Sequence, residues 1–136
     1  MNIDILDTLA PTQMVHLATC EGNEPRLRPM TLIAKARRLW FATGSGDNKS
    51  AQIAANPNAE FCLLLKQGEY SGYLRGRGKL LPVTDIGLKQ EVADHATFIY
   101  DYFGDASDPD YCLYELELRQ LRHIKPGEMY EEVLDL

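Results

Sequence analysis

The segment Pro25-Arg26-Leu27-Arg28-Pro29-Met30-Thr31-Leu32-Ile33 is followed by Leu39-Trp40-Phe41-Ala42-Thr43 and then by Gly44-Ser45-Gly46-Asp47-Asn48-Lys49-Ser50. The first piece reads as a strand, because side chains of a strand alternate between faces. Arg26, Arg28, Met30 and Leu32 fall on one face, with Leu27, Thr31 and Ile33 on the other. The second piece is a short strand of aromatic and apolar residues. The third is a glycine break that opens a helix over Asp47–Ala55, ended by Asn56-Pro57.

The flanks repeat the strand signal. Upstream, Ile3–Leu9 reads as a short helix stopped by Pro11, and Met14–Cys20 as a strand closed by the turn Glu21-Gly22-Asn23-Glu24. Downstream, Ala59–Leu65 reads as a buried strand. Tyr70–Leu81 is a long alternating one whose Gly72, Gly76 and Gly78 indicate strong coiling or a close approach. Thr84 is placed to cap a helix in which Leu88, Val92, Ala96, Ile99 and Phe103 recur every three to four residues, up to Gly104. An acidic loop from Asp105 to Asp110 leads into a last strand, Cys112 to Ile124. Six strands that do not alternate with helices as βαβ units would predict a mostly β fold. The expected architecture is an antiparallel barrel with peripheral α-helices, a single domain over residues 1–136.

Composition narrows the class of function. The 136 residues carry 14 Lys and Arg against 20 Asp and Glu, a net charge of −6. So acidic a chain argues against nucleic acid or an anionic membrane as partner, although a local basic cluster can still hold a small anion. No apolar run approaches the ~20 residues of a membrane span, and the Met-Asn-Ile-Asp start lacks the basic region of a signal peptide. A cytoplasmic protein is expected. Cys20, Cys62 and Cys112 are widely spaced, without a CxxC pair, and read as small buried hydrophobes. His16, His95 and His123 are scattered and read as structural or surface groups. Asp105, Asp108 and Asp110 lack the spacing of a calcium loop, so no metal is expected.

The chemistry concentrates between Pro25 and Ser50. Backbone N–H groups at a helix start favour a phosphate, Lys49 adds a charge, and Ser50 adds a hydroxyl. Arg26 and Arg28 on the neighbouring strand are placed to close a cradle. A solvated helix start, with the strand arginines paired to surface acids, fits the same residues equally well. Neither of two commoner phosphate motifs matches. Asn48 stands where a Walker A loop needs glycine, and Lys49 where a dinucleotide fingerprint needs one.

In order and spacing, Pro25-Arg26-Leu27-Arg28-Pro29-Met30, Leu39-Trp40-Phe41-Ala42-Thr43 and Asn48-Lys49-Ser50 through Asn56-Pro57 resemble the FMN-binding split-barrel family. That family includes pyridoxamine 5′-phosphate oxidase and short relatives among general stress and nitroimidazole-resistance proteins. Arg77-Gly78-Lys79 and Ile124-Lys125-Pro126-Gly127 are similar to those relatives as well. The resemblance implies a six-stranded split barrel that forms a homodimer, with FMN in grooves between subunits. It implies that Arg28, Pro29 and Met30 run beside the flavin, that Thr43 lies near the ring, and that Lys49 binds the phosphate between Asn48 and Ser50. It further implies an oxidoreductase passing electrons between a donor such as a nicotinamide and a small-molecule substrate. A non-enzymatic flavin-binding stress module, or a barrel that has changed ligand to F420 or haem, is the alternative. Two departures bear on the reaction. Ile33 stands where the oxidase has a substrate-binding lysine, and the chain ends Glu131-Glu132-Val133-Leu134-Asp135-Leu136 in place of an Arg-Leu-His-type motif.

Overall fold

The structure is a computed structural model that describes residues 1–46 and 49–136, apart from the side chain of Lys49. Its strands are β1 (Thr12–Glu21), β2 (Glu24–Lys35), β3 (Arg38–Gly44), β4 (Asn58–Gln67), β5 (Tyr70–Pro82), β6 (Tyr111–Ile124) and β7 (Glu132–Asp135). The helices are α1 (Lys49–Ala55) and α2 (Ile86–His95), with 3-10 turns at Ile3–Thr8 and Thr97–Asp101.

All strand pairs are antiparallel, in the order β3-β2-β1-β4-β5-β6-β7, and a further β3–β6 pairing joins the ends into a ring of six strands. The expected six-stranded barrel with peripheral helices is therefore present. β7 adds a seventh strand along the C-terminal half of β6, from Gln120↔Asp135 to His123↔Glu132.

Alternation along each strand produces two cores. In β1, Val15, Leu17 and Thr19 are buried between exposed Met14 and His16 and half-buried Ala18 and Cys20. The inward set meets Leu32, Phe41, Phe61, Leu74, Leu116 and Leu121 inside the barrel. Phe61 needs a special neighbour. A Cβ at Gly76, its partner across the ladder, would lie 2.4 Å from the Phe61 ring, so glycine there makes room for the aromatic.

The second core lies outside the barrel. α2 and the following 3-10 turn cover the outer face of β3 and β6, burying Ile33, Trp40, Leu113 and Tyr111 against Val92, Ala93, Ala96 and Ile99. Lys89 fastens this layer: its Nζ donates to the Tyr111 carbonyl at 2.6 Å, while the Tyr111 hydroxyl donates to the Lys89 carbonyl at 3.1 Å.

Several elements differ in detail from the sequence reading. The long helix expected up to Gly104 ends at His95 and gives way to the 3-10 turn at Thr97. Its cap is Asp85 and not Thr84, since the Asp85 carboxylate accepts from the Gly87 N–H at 2.8 Å. The three cysteines are half-buried and unbridged; they are not enclosed in a core.

Candidate functional site

The site begins where the barrel comes apart. β2 pairs with β3 over only three positions, Ile33↔Trp40, Ala34↔Leu39 and Lys35↔Arg38. Beyond Trp40, β3 turns to β6 and pairs from Trp40↔Glu115 to Gly44↔Tyr111. Among the described residues, β2 thus has no strand partner on that side from Glu24 to Leu32.

The strand's own hydrogen bonds identify what this edge offers. The Ala34 N–H donates to the Pro11 carbonyl at 3.0 Å, so even-numbered residues of β2 turn their backbone groups toward β1. Odd-numbered residues face the opening. Their carbonyls at Pro25, Leu27, Pro29 and Thr31 are acceptors, whereas only Leu27 and Thr31 have an N–H to donate. Pro25 and Pro29 thus place their missing donors on the open edge, where proline is tolerated in a sheet.

β3 runs from this opening through Gly44-Ser45-Gly46 toward α1. The loop is anchored from outside: the Ser45 N–H donates to the Asp110 carbonyl at 3.0 Å, and its hydroxyl to the Asp110 carboxylate at 2.7 Å. Ile53 of α1 is buried in the same cluster as Leu17, Leu32 and Phe41, so the helix covers the barrel interior where β2 and β3 part. On this helix the Ser50 Oγ and the Gln52 Oε1 are buried and have no hydrogen-bond partner among the described residues. Buried polar atoms without partners are costly in a native fold. The Ser50 hydroxyl is thus a donor awaiting an acceptor.

The expected site residues are placed unequally. Arg28 is half-buried on the face it shares with Leu17, and no described acid pairs with it. Pro29 is exposed and Met30 packs half-buried against the barrel core. Thr43 is buried in the β3–β6 ladder opposite Cys112. Ser50 sits in the first turn of α1, which Lys49 opens. Asn48 and the Lys49 side chain lie outside the described residues. Arg26 does not join a cradle: it pairs with Glu21 at 3.0 Å and Glu24 at 3.1 Å on the surface. The solvated alternative therefore describes Arg26, while Arg28 remains available for an anion. Sequence reasoning passed over Pro25, Leu27, Thr31 and Gln52; the paired prolines of β2 were the signal that an open edge begins there.

The remaining groups fall outside this site. Ile33, at the position of the expected substrate lysine, is fully buried in the second core beside Trp40 and cannot touch a ligand. His16 is exposed on the outer sheet face, and His95 meets the Ala34 carbonyl through Nε2 at 2.8 Å. The carboxylates of Asp105 and Asp108 accept from Ser107, Gly104 and Asp110 within their own loop. A cavity of ≈ 510 Å³ opens on the outer side of β1, β4 and β5, where Arg77 and Lys79 have no acidic partner among the described residues. No helix among the described residues is long and apolar enough to cross a membrane.

Comparison with known proteins agrees with this geometry. General stress protein 26 of Bacillus subtilis (strain 168) is 25% identical over 133 residues, covering 97% of this chain and 94% of that protein. The crystal structure of general stress protein 26 from Bacillus anthracis superposes with a TM-score of 0.72 at 22% identity, over 92% of this chain and 90% of that one. A haem-binding protein from Mycobacterium smegmatis shares the fold with a TM-score of 0.79 at 15% identity, over 98% of this chain and 57% of that one. The sequence model of the pyridoxamine 5′-phosphate oxidase family matches residues 2–125. With the split between β2 and β3, the open β2 edge and a match over nearly its whole length, the chain belongs to the pyridoxamine 5′-phosphate oxidase family.

Proposed function

We propose that the protein binds FMN at the opening between β2 and β3 and acts as a flavin-dependent oxidoreductase on a small molecule, as a cytoplasmic homodimer. The observation that carries the reading is the buried, unpartnered Ser50 hydroxyl at the start of α1, with the unpaired β2 edge across the opening. The two features suit the two ends of the cofactor. Ser50, Lys49 and Asn48 would hold the phosphate, joined by Arg28 on β2, with which no acid among the described residues pairs. The flavin's pyrimidine edge alternates acceptors with one N–H, and the free carbonyls and the Leu27 and Thr31 N–H groups of β2 alternate in the same way. Met30 and Thr43, on the two strands that part, would face the ring.

When bound, FMN supplies the redox chemistry, accepting hydride from a donor and passing electrons to an acceptor. The residues of this chain bind and orient it. Pyridoxamine 5′-phosphate is disfavoured as substrate, because burial of Ile33 in the second core leaves nothing at that position to contact it.

A titration of purified protein with FMN, F420 and haem, followed by absorbance and flavin fluorescence, tests the reading. Saturable FMN binding with bleaching by a nicotinamide donor is expected, and pyridoxamine 5′-phosphate turnover below about 10⁴ M⁻¹s⁻¹ in kcat/KM. Preference for F420 or haem over FMN would overturn the cofactor. FMN binding without reduction by any donor would reduce the function to flavin storage.

A further inference from the structure

At the barrel end away from α1, the interior is left unfilled. β4 and β5 turn Leu63, Leu65 and Leu74 inward there, yet Leu63 and Leu65 stay only half-buried, unlike fully enclosed Phe61 two positions earlier. The N-terminal 3-10 turn lies over this end through Ile5 and Leu9 and leaves a cavity of ≈ 230 Å³.

One ring breaks the apolar wall. His123, on β6 opposite Leu74, is 8% exposed and lines both this cavity and a neighbouring one formed with Asp4, Asp7, Lys125 and Glu132; no described residue hydrogen-bonds to it. The other polar groups of the cavity are already held: Gln13 Nε2 donates to the Leu32 carbonyl at 3.0 Å and the Thr8 hydroxyl to the Ile5 carbonyl at 2.7 Å. A ligand that enters the cavity can take this imidazole as a hydrogen-bond partner.

We propose that this cavity is a second binding site, for a neutral single-ring hydroxyl compound of the phenol type, held by a hydrogen bond to His123. Three observations set the chemistry. The apolar walls penalise a charged ligand. A hydroxyl both donates and accepts, so it matches either nitrogen of a neutral imidazole, whichever faces the cavity. The volume admits one substituted ring, since apolar cavities of about 150 Å³ already take up benzene. A flavin is far too large, so this site is independent of the one at the β2–β3 opening. Burial also holds the His123 pKa below its ordinary value, which keeps the ring neutral as the hydrogen bond requires.

Phenol and toluene have nearly the same shape and differ in the hydroxyl. Each would be titrated into the full-length protein while the methyl signals of Leu63, Leu65 and Leu74 and the His123 ring signals are followed by NMR. Phenol is expected to shift them saturably and to bind at least about tenfold tighter than toluene, the scale of one hydrogen bond. His123→Phe should remove the difference between the two probes. Should that variant fold poorly, Leu65→Phe, which fills the cavity from the opposite strand, should abolish binding of both. Equal affinity of phenol and toluene for the unaltered protein, or no saturable shift by phenol up to about 10 mM, would overturn the proposal. So would phenol shifts at the barrel end that survive Leu65→Phe.

Discussion

Ser50 and Lys49 occupy consecutive positions in the first turn of α1, where backbone N–H groups lack intrahelical partners. If the FMN phosphate is held there, Lys49→Ala removes one charge-assisted contact, expected to cost roughly 1.5–3 kcal/mol. That corresponds to about a tenfold to hundredfold loss of FMN affinity. Riboflavin has no phosphate and should bind the variant and the original protein alike. Titrating both flavins into both proteins checks this, and an equal loss for riboflavin would remove Lys49 from the phosphate site. His123 makes a separate residue-level prediction. Burial lowers its pKa from an ordinary value of 6.5, outweighing Glu132 and Glu128, which favour the charged ring; Lys125 and the N-terminal ammonium act with burial. Between the lowered value and 6.5 the unfolded chain binds more protons than the folded one, so stability falls as pH drops through about 6.5. Glu131 and Glu132 are held below 4.5 by Tyr73 and by the N-terminal ammonium respectively, and they titrate beneath this window. Urea midpoints taken at about pH 7.5 and about pH 5.5 should therefore differ more for the unaltered protein than for His123→Phe.

Among the elements, strands were the most legible in the sequence and their partings the least. β1, β4, β5 and β6 all read as strands, β5 from its alternation, and the structure extends each by only one to three residues at its ends; β4, which reads as buried, instead turns Leu64 outward, 66% exposed. β7 was missed because Glu132–Asp135 is a four-residue strand with acids at both ends, too short for a period to show. The break in the helix after His95 was hidden for a different reason. Val92, Ala96 and Ile99 all enter the second core, and spacings of three and four residues fit an α-helix and a 3-10 turn alike. The splaying of β2 from β3 is a matter of topology, so only Pro25 and Pro29 registered it locally. α2 itself depends on a single side-chain cap. Asp85→Ala would free the Gly87 N–H that its carboxylate now accepts at 2.8 Å, at a cost of about 1 kcal/mol. Thermal unfolding should register this as a lower midpoint. Thr84→Ala should leave it nearly unchanged, the reverse of what the sequence alone predicted.

The molecule as a whole leaves one sheet face uncovered. Met14 on β1, Leu27 on β2 and Leu64 on β4 are 61%, 71% and 66% exposed, and all three point outward from the barrel. The His16↔Cys62 register, carried two residues further, brings Met14 level with Leu64, while Leu27 lies across from Ala18. Toward the middle of this face Arg75 meets Glu60 at 2.7 Å, while Arg77 and Lys79 on the same side have no acidic partner among the described residues. Such a face is suited to a second copy of the same chain, because a two-fold interface sets an exposed apolar patch against itself. It borders the open β2 edge, so a homodimer built on it would set the proposed flavin site along the seam. Leu64→Glu separates folding from assembly. A side chain this exposed contributes little to the fold of one subunit, but a carboxylate at the centre of a two-fold seam meets its own copy and loses its water. Light scattering is expected to return twice 15.4 kDa for the unaltered protein and 15.4 kDa for the variant, with circular dichroism unchanged. FMN affinity should fall together with the dimer, since the seam that would enclose the cofactor is gone. A monomeric unaltered protein at micromolar concentration with FMN bound would refute the assembly. A monomeric variant that kept full FMN affinity would place the whole flavin site within one subunit.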